Sequence, residues 1–182
     1  MTKYRGVTGS TETPDEPDRS RPLTKELQRV EEANFAFYEA FTQRNLERMA
    51  KVWAQTPHVR CIHPGWELVS GWPDVRRSWQ DIFQSIESID IGLQDVQIEV
   101  SGRVAWVNQV VELSITTEES ESFEASVVSS NIFEEVDGQW LLVLHHSSNF
   151  IEEDSDSDTG AEDEVERGGF FPPQGGGSQS LN

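Results

Sequence analysis

The chain holds a single cysteine, Cys61, among 182 residues. That excludes an internal disulfide and any metal cage built from thiolates. Flanked by Arg60 and Ile62 in a strand-like run, Cys61 reads as a small apolar core residue. No stretch approaches the ~18 apolar residues that a membrane-spanning helix needs, and the opening MTKYRGVTGSTETPDEP lacks the apolar centre of a secretion signal. A cytoplasmic setting is therefore expected, with no membrane contact. Also missing are a phosphate-cradling glycine loop, a dinucleotide fingerprint and a Ser-His-Asp order, so hydrolase, kinase and dehydrogenase readings fall away and no cofactor is expected. The histidines are His58, His63, His145 and His146. None stands two or four residues from another on a helix, and no metal is expected.

Positive charge is scarce as well. The net charge is −19, with only 3 lysines against 11 arginines. Residues 24–150 carry −11 and residues 151–182 carry −8. A duplex or an anionic membrane would be repelled over most of this surface, so nucleic acid is not an expected partner. Few lysines with excess acid fit a high-salt cytoplasm, where screening removes self-repulsion; they equally fit a surface that stays soluble by its charge.

Apolar residues make up 35% of the chain and are concentrated between residues 24 and 150. Residues 1–22 read as an unfolded lead-in, 23–150 as one domain, and 151–182 as an acidic, Gly/Pro-rich unfolded tail. Within that tail, Phe170-Phe171-Pro172-Pro173 is an apolar element suited to docking.

Inside the domain, Leu27, Val30, Ala33, Phe37 and Phe41 recur at helical steps, widened by Phe35 and Tyr38. They predict a helix from Thr24, as cap, to about Arg44. Asn45 caps a second, Leu46 to Ala54. A strand from His58 to His63 ends at Pro64-Gly65. A third helix runs from Trp72 or Pro73 to Ile86. Strands over Ile89–Val100, Val104–Thr117, Phe123–Val136 and Gln139–Ser148 then form a meander, with Asp137-Gly138 as a hairpin turn. The fold class expected is α+β, three helices on one face of a curved antiparallel sheet.

His-Pro after the first strand, Gly-Trp opening the third helix, and NIF…DGQW…HHSS at the end resemble SnoaL-like domains. These belong to the nuclear-transport-factor-2-like, or ketosteroid-isomerase-like, superfamily. The resemblance spans about residues 24–150. It implies a cone-shaped α+β domain, a deep apolar pocket between helices and sheet, and often a homodimer through the outer face of the sheet. It places His63 where the steroid isomerases carry their aspartate base. Their oxyanion tyrosine falls on Phe37, beside Tyr38, and their oxyanion aspartate falls near Ser129 or Ser130. The oxyanion pair is thus absent or replaced.

Two readings of the chemistry stand. His63 is a proton acceptor in a Trp-rich pocket, or a buried imidazole that orders its loop by a hydrogen bond. In the last strand His145 and His146 point to opposite faces. The face with Trp140, Leu142, Leu144, His146 and Ser148 is assigned inward, which puts His146 in the pocket and His145 outside. Asn131, like His146, could donate to a ligand oxygen or serve a core network. Trp66 sits in a loop, where nothing local demands an indole, and suits a pocket wall. The candidate catalytic set is His63, Asn131 and His146. The candidate ligand-contacting set is Tyr38, Trp66, Trp79, Trp106 and Asn108. The expected partner is a hydrophobic small molecule, either bound only or isomerised, cyclised or dehydrated without a cofactor.

Overall fold

The computed structural model describes residues 25–149. The lead-in, the Thr24 cap and the tail fall outside that range. The elements run α1 (Lys25–Thr42), α2 (Leu46–Val52), β1 (Arg60–Ile62), β2 (Val69–Ser70), α3 (Trp72–Ser85), β3 (Ile86–Ser101), β4 (Val104–Thr117), β5 (Ser122–Val136) and β6 (Gln139–Asn149). The order is α+β, as the periodicities predict.

The apolar stripe of α1 is narrower than expected. Val30, Phe37 and Phe41 are buried, but so is the polar Asn34, while Phe35 is 63% exposed. Positions 30, 34, 37 and 41 follow the four-then-three spacing of a single helix face, and Phe35 lies off it. Asn45 caps α2 by accepting from the Arg48 amide at 2.9 Å. Gly71, at φ +85°, swings the chain into α3, and Pro73 occupies its first turn, where a missing N–H costs nothing.

The six strands form one sheet in the order β2-β1-β6-β5-β4-β3. Neighbours are antiparallel except β1 and β6, which run parallel. The sheet is therefore mixed, a correction to the all-antiparallel expectation. The parallel pair arises because α3 and the whole meander intervene between β1 and β6, a crossover long enough to bring the chain back in the same direction. Asp137 and Gly138 both have positive φ, as a tight two-residue hairpin turn requires.

The pairing of β6 carries the main departure from simple alternation. Ile132 faces Leu144 and the next residue, Phe133, faces Leu142. Val143 is thus an extra residue, a bulge. Beyond a bulge the alternation changes face. Trp140 and Leu142 point inward, and then Val143, His145 and Ser147 do, while His146 and Ser148 are exposed. The expected inward face holds for Trp140 and Leu142 and fails from Leu144 on.

Candidate functional site

The inner face of the sheet meets α1 and α3 over a core of rings. Phe37 stands edge-on to Trp79 at 5.4 Å between centroids, and Trp79 edge-on to His63 at 4.7 Å. Phe37 lies 4.9 Å from His145, and His63 lies 6.3 Å from it. These side chains pack against one another between the helices and the sheet. Trp53, Trp79, Phe37, Phe133 and His63 are each at most 1% exposed.

Threaded through the rings is a chain of polar groups. Asn34 Nδ2 donates to Gln109 Oε1 at 2.9 Å, and Gln109 Nε2 donates to Tyr38 Oη at 2.8 Å. Tyr38 shares its hydroxyl with Ser129 Oγ at 2.9 Å. Asn131 Nδ2 donates to Asn34 Oδ1 at 2.8 Å. An amide oxygen can only accept, so His145 Nδ1 donates to Asn131 Oδ1 at 2.7 Å. His145 Nε2 is then left to accept from Ser147 Oγ at 3.1 Å. These bonds fix His145 as one neutral tautomer. Its pKa lies well below the usual histidine value, first from burial and then from the neighbouring His63 and His146. Burial also pushes the Tyr38 hydroxyl up to about 12, against the pull of its hydrogen bonds to Ser129, Asn131 and Gln109.

His63 stands apart from this chain. Ser78, on α3, turns its hydroxyl back to the Val75 carbonyl at 2.9 Å, as helical serines often do. His63 Nε2 therefore donates to Ser78 Oγ at 2.9 Å, and the lone pair sits on Nδ1. Burial alone lowers the His63 pKa to about 3. The neutral ring is therefore the form held at pH 7.

Two edges hold His63: Trp79, and Trp66 at 4.9 Å. Trp66 reaches it through a turn over His63-Pro64-Gly65-Trp66. Pro64 pre-sets φ at the second position, Gly65 takes φ +78° at the third, and Trp66 N bonds His63 O at 3.0 Å. On the outer side of Trp66 lies a cleft of about 350 Å³, lined by Trp66, Leu68, Val69, Ser70, Asp74, Arg77, Ser78 and Asp81. Ser78 thus touches both the cleft and His63. The Trp66 indole N–H is buried and has no hydrogen-bond partner among the described residues.

The structure brings His63, Tyr38, Trp66, Trp79 and Asn131 to the inner side. It does not bring His146, Asn108 or Trp106 there, which corrects three expectations. His146 is carried outward by the Val143 bulge. Asn108 and Trp106 alternate with the buried Val107 on β4 and lie on the outer face, where Ser130 Oγ bonds Asn108 Oδ1 at 2.8 Å. Sequence reasoning missed Asn34, Gln109, Ser78, His145 and Ser147. Two of them carried a signal: Asn34 interrupts the buried stripe of α1, and Gln109 sits between Val107 and Val111 on an otherwise apolar strand face. Among the described residues no cluster of His, Cys, Asp and Glu could hold a metal.

Comparison with known proteins gives one consistent picture. The profile of a family described as SnoaL-like domain matches residues 30–152. A crystal structure of a candidate dehydratase of the NTF2-like family from Streptomyces avermitilis is 31% identical. It superposes with a TM-score of 0.64, over 69% of this chain and 96% of that one. A candidate calcium/calmodulin-dependent protein kinase type II association domain from Thiobacillus denitrificans is 28% identical, at a TM-score of 0.58, over 66% and 94%. A ketosteroid isomerase-like protein from Erwinia carotovora atroseptica, 16% identical over 71% and 99% with a TM-score of 0.62, shows the fold alone. The F-box protein SKIP8 of Arabidopsis thaliana is 31% identical over 121 residues, which is 66% of this chain and 49% of that protein. The chain spans about half the length of that curated relative.

Proposed function

We propose that this chain, which belongs to the SnoaL-like domain family, is a small-molecule binder whose ligand enters the cleft over Trp66 and Ser78. The observation that carries this reading is the division of the site. The inner polar groups are spent on one another, whereas the cleft offers an indole, a leucine and several polar side chains to solvent. Such a lining suits a molecule with an apolar face and a hydroxyl, carbonyl or amine at its edge. Asp74 and Arg77 pair with each other at 3.5 Å, so Asp81 sets the local charge and favours a neutral or cationic ligand.

The alternative is catalysis: isomerisation, cyclisation or dehydration of a hydrophobic carbonyl compound with His63 as base. Its support is the His-Pro position and the dehydratase-named neighbour. A histidine held near 3 is a weak base for a carbon acid, which tips the balance towards binding. We further propose a homodimer through the outer sheet face, where Trp106, Val110, Val128, Ile132 and Leu144 form a half-exposed apolar surface. The cytoplasm as its setting rests on composition alone.

Native mass spectrometry of the purified protein tests the binding reading, followed by amide and indole NMR shifts on adding the molecule found. Shifts centred on Trp66, Ser70 and Ser78, with at least tenfold weaker binding in Trp66→Ala, are expected. Shifts centred elsewhere, or turnover abolished by His63→Gln, would overturn it.

A further inference from the structure

A second cleft lies away from the first, and no part of the reading above uses it. It has a volume of about 320 Å³, between α1, α2 and the start of β6. Ala33, Ala36, Val52 and Trp140 give it an apolar floor, and two cations, Arg29 and Lys51, with one carboxylate, Glu32, stand at its sides. Trp140 is only 6% exposed, yet its indole N–H has no hydrogen-bond partner among the described residues. A buried donor left unanswered is costly, so a carbonyl oxygen that reached it would remove a standing penalty. Arg29 already serves Glu135 at 3.3 Å and the Gly138 carbonyl. Lys51 has no ion-pair partner among the described residues, in a chain of net charge −19.

The matching chemistry is in the same chain. Phe170-Phe171-Pro172-Pro173 supplies two rings and two prolines, and four acids, Glu162, Asp163, Glu164 and Glu166, against one cation, Arg167, precede it closely. Rings suit a floor of alanines, valine and indole. Proline-containing segments present carbonyls beside rings that carry no competing N–H, and aromatic-lined grooves take them for that reason. The carboxylates would meet Lys51. Reach is sufficient. The fold is left at Asn149, at the far end of β6, whose 11 residues span about 36 Å. The intervening residues 150–169 extend to at most about 66–72 Å. We propose that Phe170–Pro173 of this same chain occupies the cleft, with the Trp140 N–H donating to one of its backbone carbonyls and the preceding acidic residues facing Lys51.

The test uses the full chain and changes only the segment, so the fold is left intact. The Trp140 indole resonance is followed by NMR in the parent and in the double variant Phe170→Ala/Phe171→Ala. The expected result is a shifted Trp140 N–H that exchanges with solvent roughly tenfold faster in the variant, the loss of one hydrogen bond, while the Trp79 indole is unchanged. A Lys51→Glu substitution should move the Trp140 signal in the same direction by a smaller amount. An unchanged Trp140 signal in the double variant would overturn the proposal. So would a parent signal that moves on dilution, because the occupant would then come from a second copy.

Discussion

Two regions meet at His63 and differ in one respect. Beneath α1, Asn34, Tyr38, Gln109, Asn131, His145 and Ser147 are buried and bonded to one another. Above α3, Ser70, Asp74, Arg77 and Asp81 stand in an open cleft with few internal obligations. The first region has the richer chemistry on paper, and the second has the access. A polar side chain in a core is evidence of a site only when some of its bonding capacity is unspent. The buried amides and His145 bond chiefly to one another, so they position α1 on the sheet.

The largest expected effect is acid sensitivity of the buried region. Between about pH 6.5 and 3 an unfolded His63 takes a proton that the folded one refuses. The unfolded state thus binds more protons in that window, and stability falls as pH falls, by about 1.4 kcal/mol per pH unit. His145, lowered by the same burial, adds in the same sense. Urea unfolding at pH 7, 6, 5 and 4 should show this slope, and His63→Gln should remove its own share. An NMR titration of His63 near pH 6.5 would place that ring in water and erase the contrast between the two regions.

Next is Asn131→Ala, expected to cost about 3 kcal/mol. It leaves His145 Nδ1–H without a partner and Asn34 Oδ1 with only the longer bond from Gln109 Nε2 at 3.4 Å, in a dry interior. The midpoint of urea unfolding measures it. A cost under about 1 kcal/mol would mean that water reaches the network and that the inner face is more open than the ring packing indicates.

Trp66→Ala should behave in the opposite manner. Trp66 is half-buried, so its loss should cost only about 1–2 kcal/mol of stability. It should nonetheless expose His63, whose ring it covers. The His63 signal is then expected to begin titrating, and ligand binding in the cleft to weaken. A melt as damaging as that of Asn131→Ala would assign Trp66 to the core instead.

Much of this was legible in the chain. Helical stripes, the Asp137-Gly138 turn and the Pro73 start gave the order of every element but the two-residue β2, because each depends on local geometry alone. The resemblance pointed to His63, and an indole in a loop pointed to Trp66. What escaped was the face of β6. Strict alternation points His146 inward, and only the pairing of Ile132 and Phe133 with residues two apart reveals the extra Val143. A bulge is chosen by the partner strand, and no residue in LLVLHH announces it. Asn34 and Gln109 escaped because an apolar pattern is read by its apolar members, and their partners lie 75 residues apart in sequence.

The smallest expected effect tests that bulge. His146 follows His145 directly, yet it is exposed on the outer sheet face, opposite Ser130. His146→Ala should change the stability of the monomer by no more than about 0.5 kcal/mol, whereas His145→Ala should cost several times as much by stranding Asn131. The ratio of the two effects reports which way each ring points, and it does so without coordinates. Measured against protein concentration, the same substitution probes the proposed dimer. His146 lies between Ile62 and Ser130 on the face that carries Trp106 and Leu144. A melting temperature that depends on concentration in the parent, and shifts in His146→Ala only at high concentration, would place a second copy on that face. Equal effects of the two alanines in dilute solution would mean that β6 alternates without its bulge, and the inner network built on His145 would fall with it.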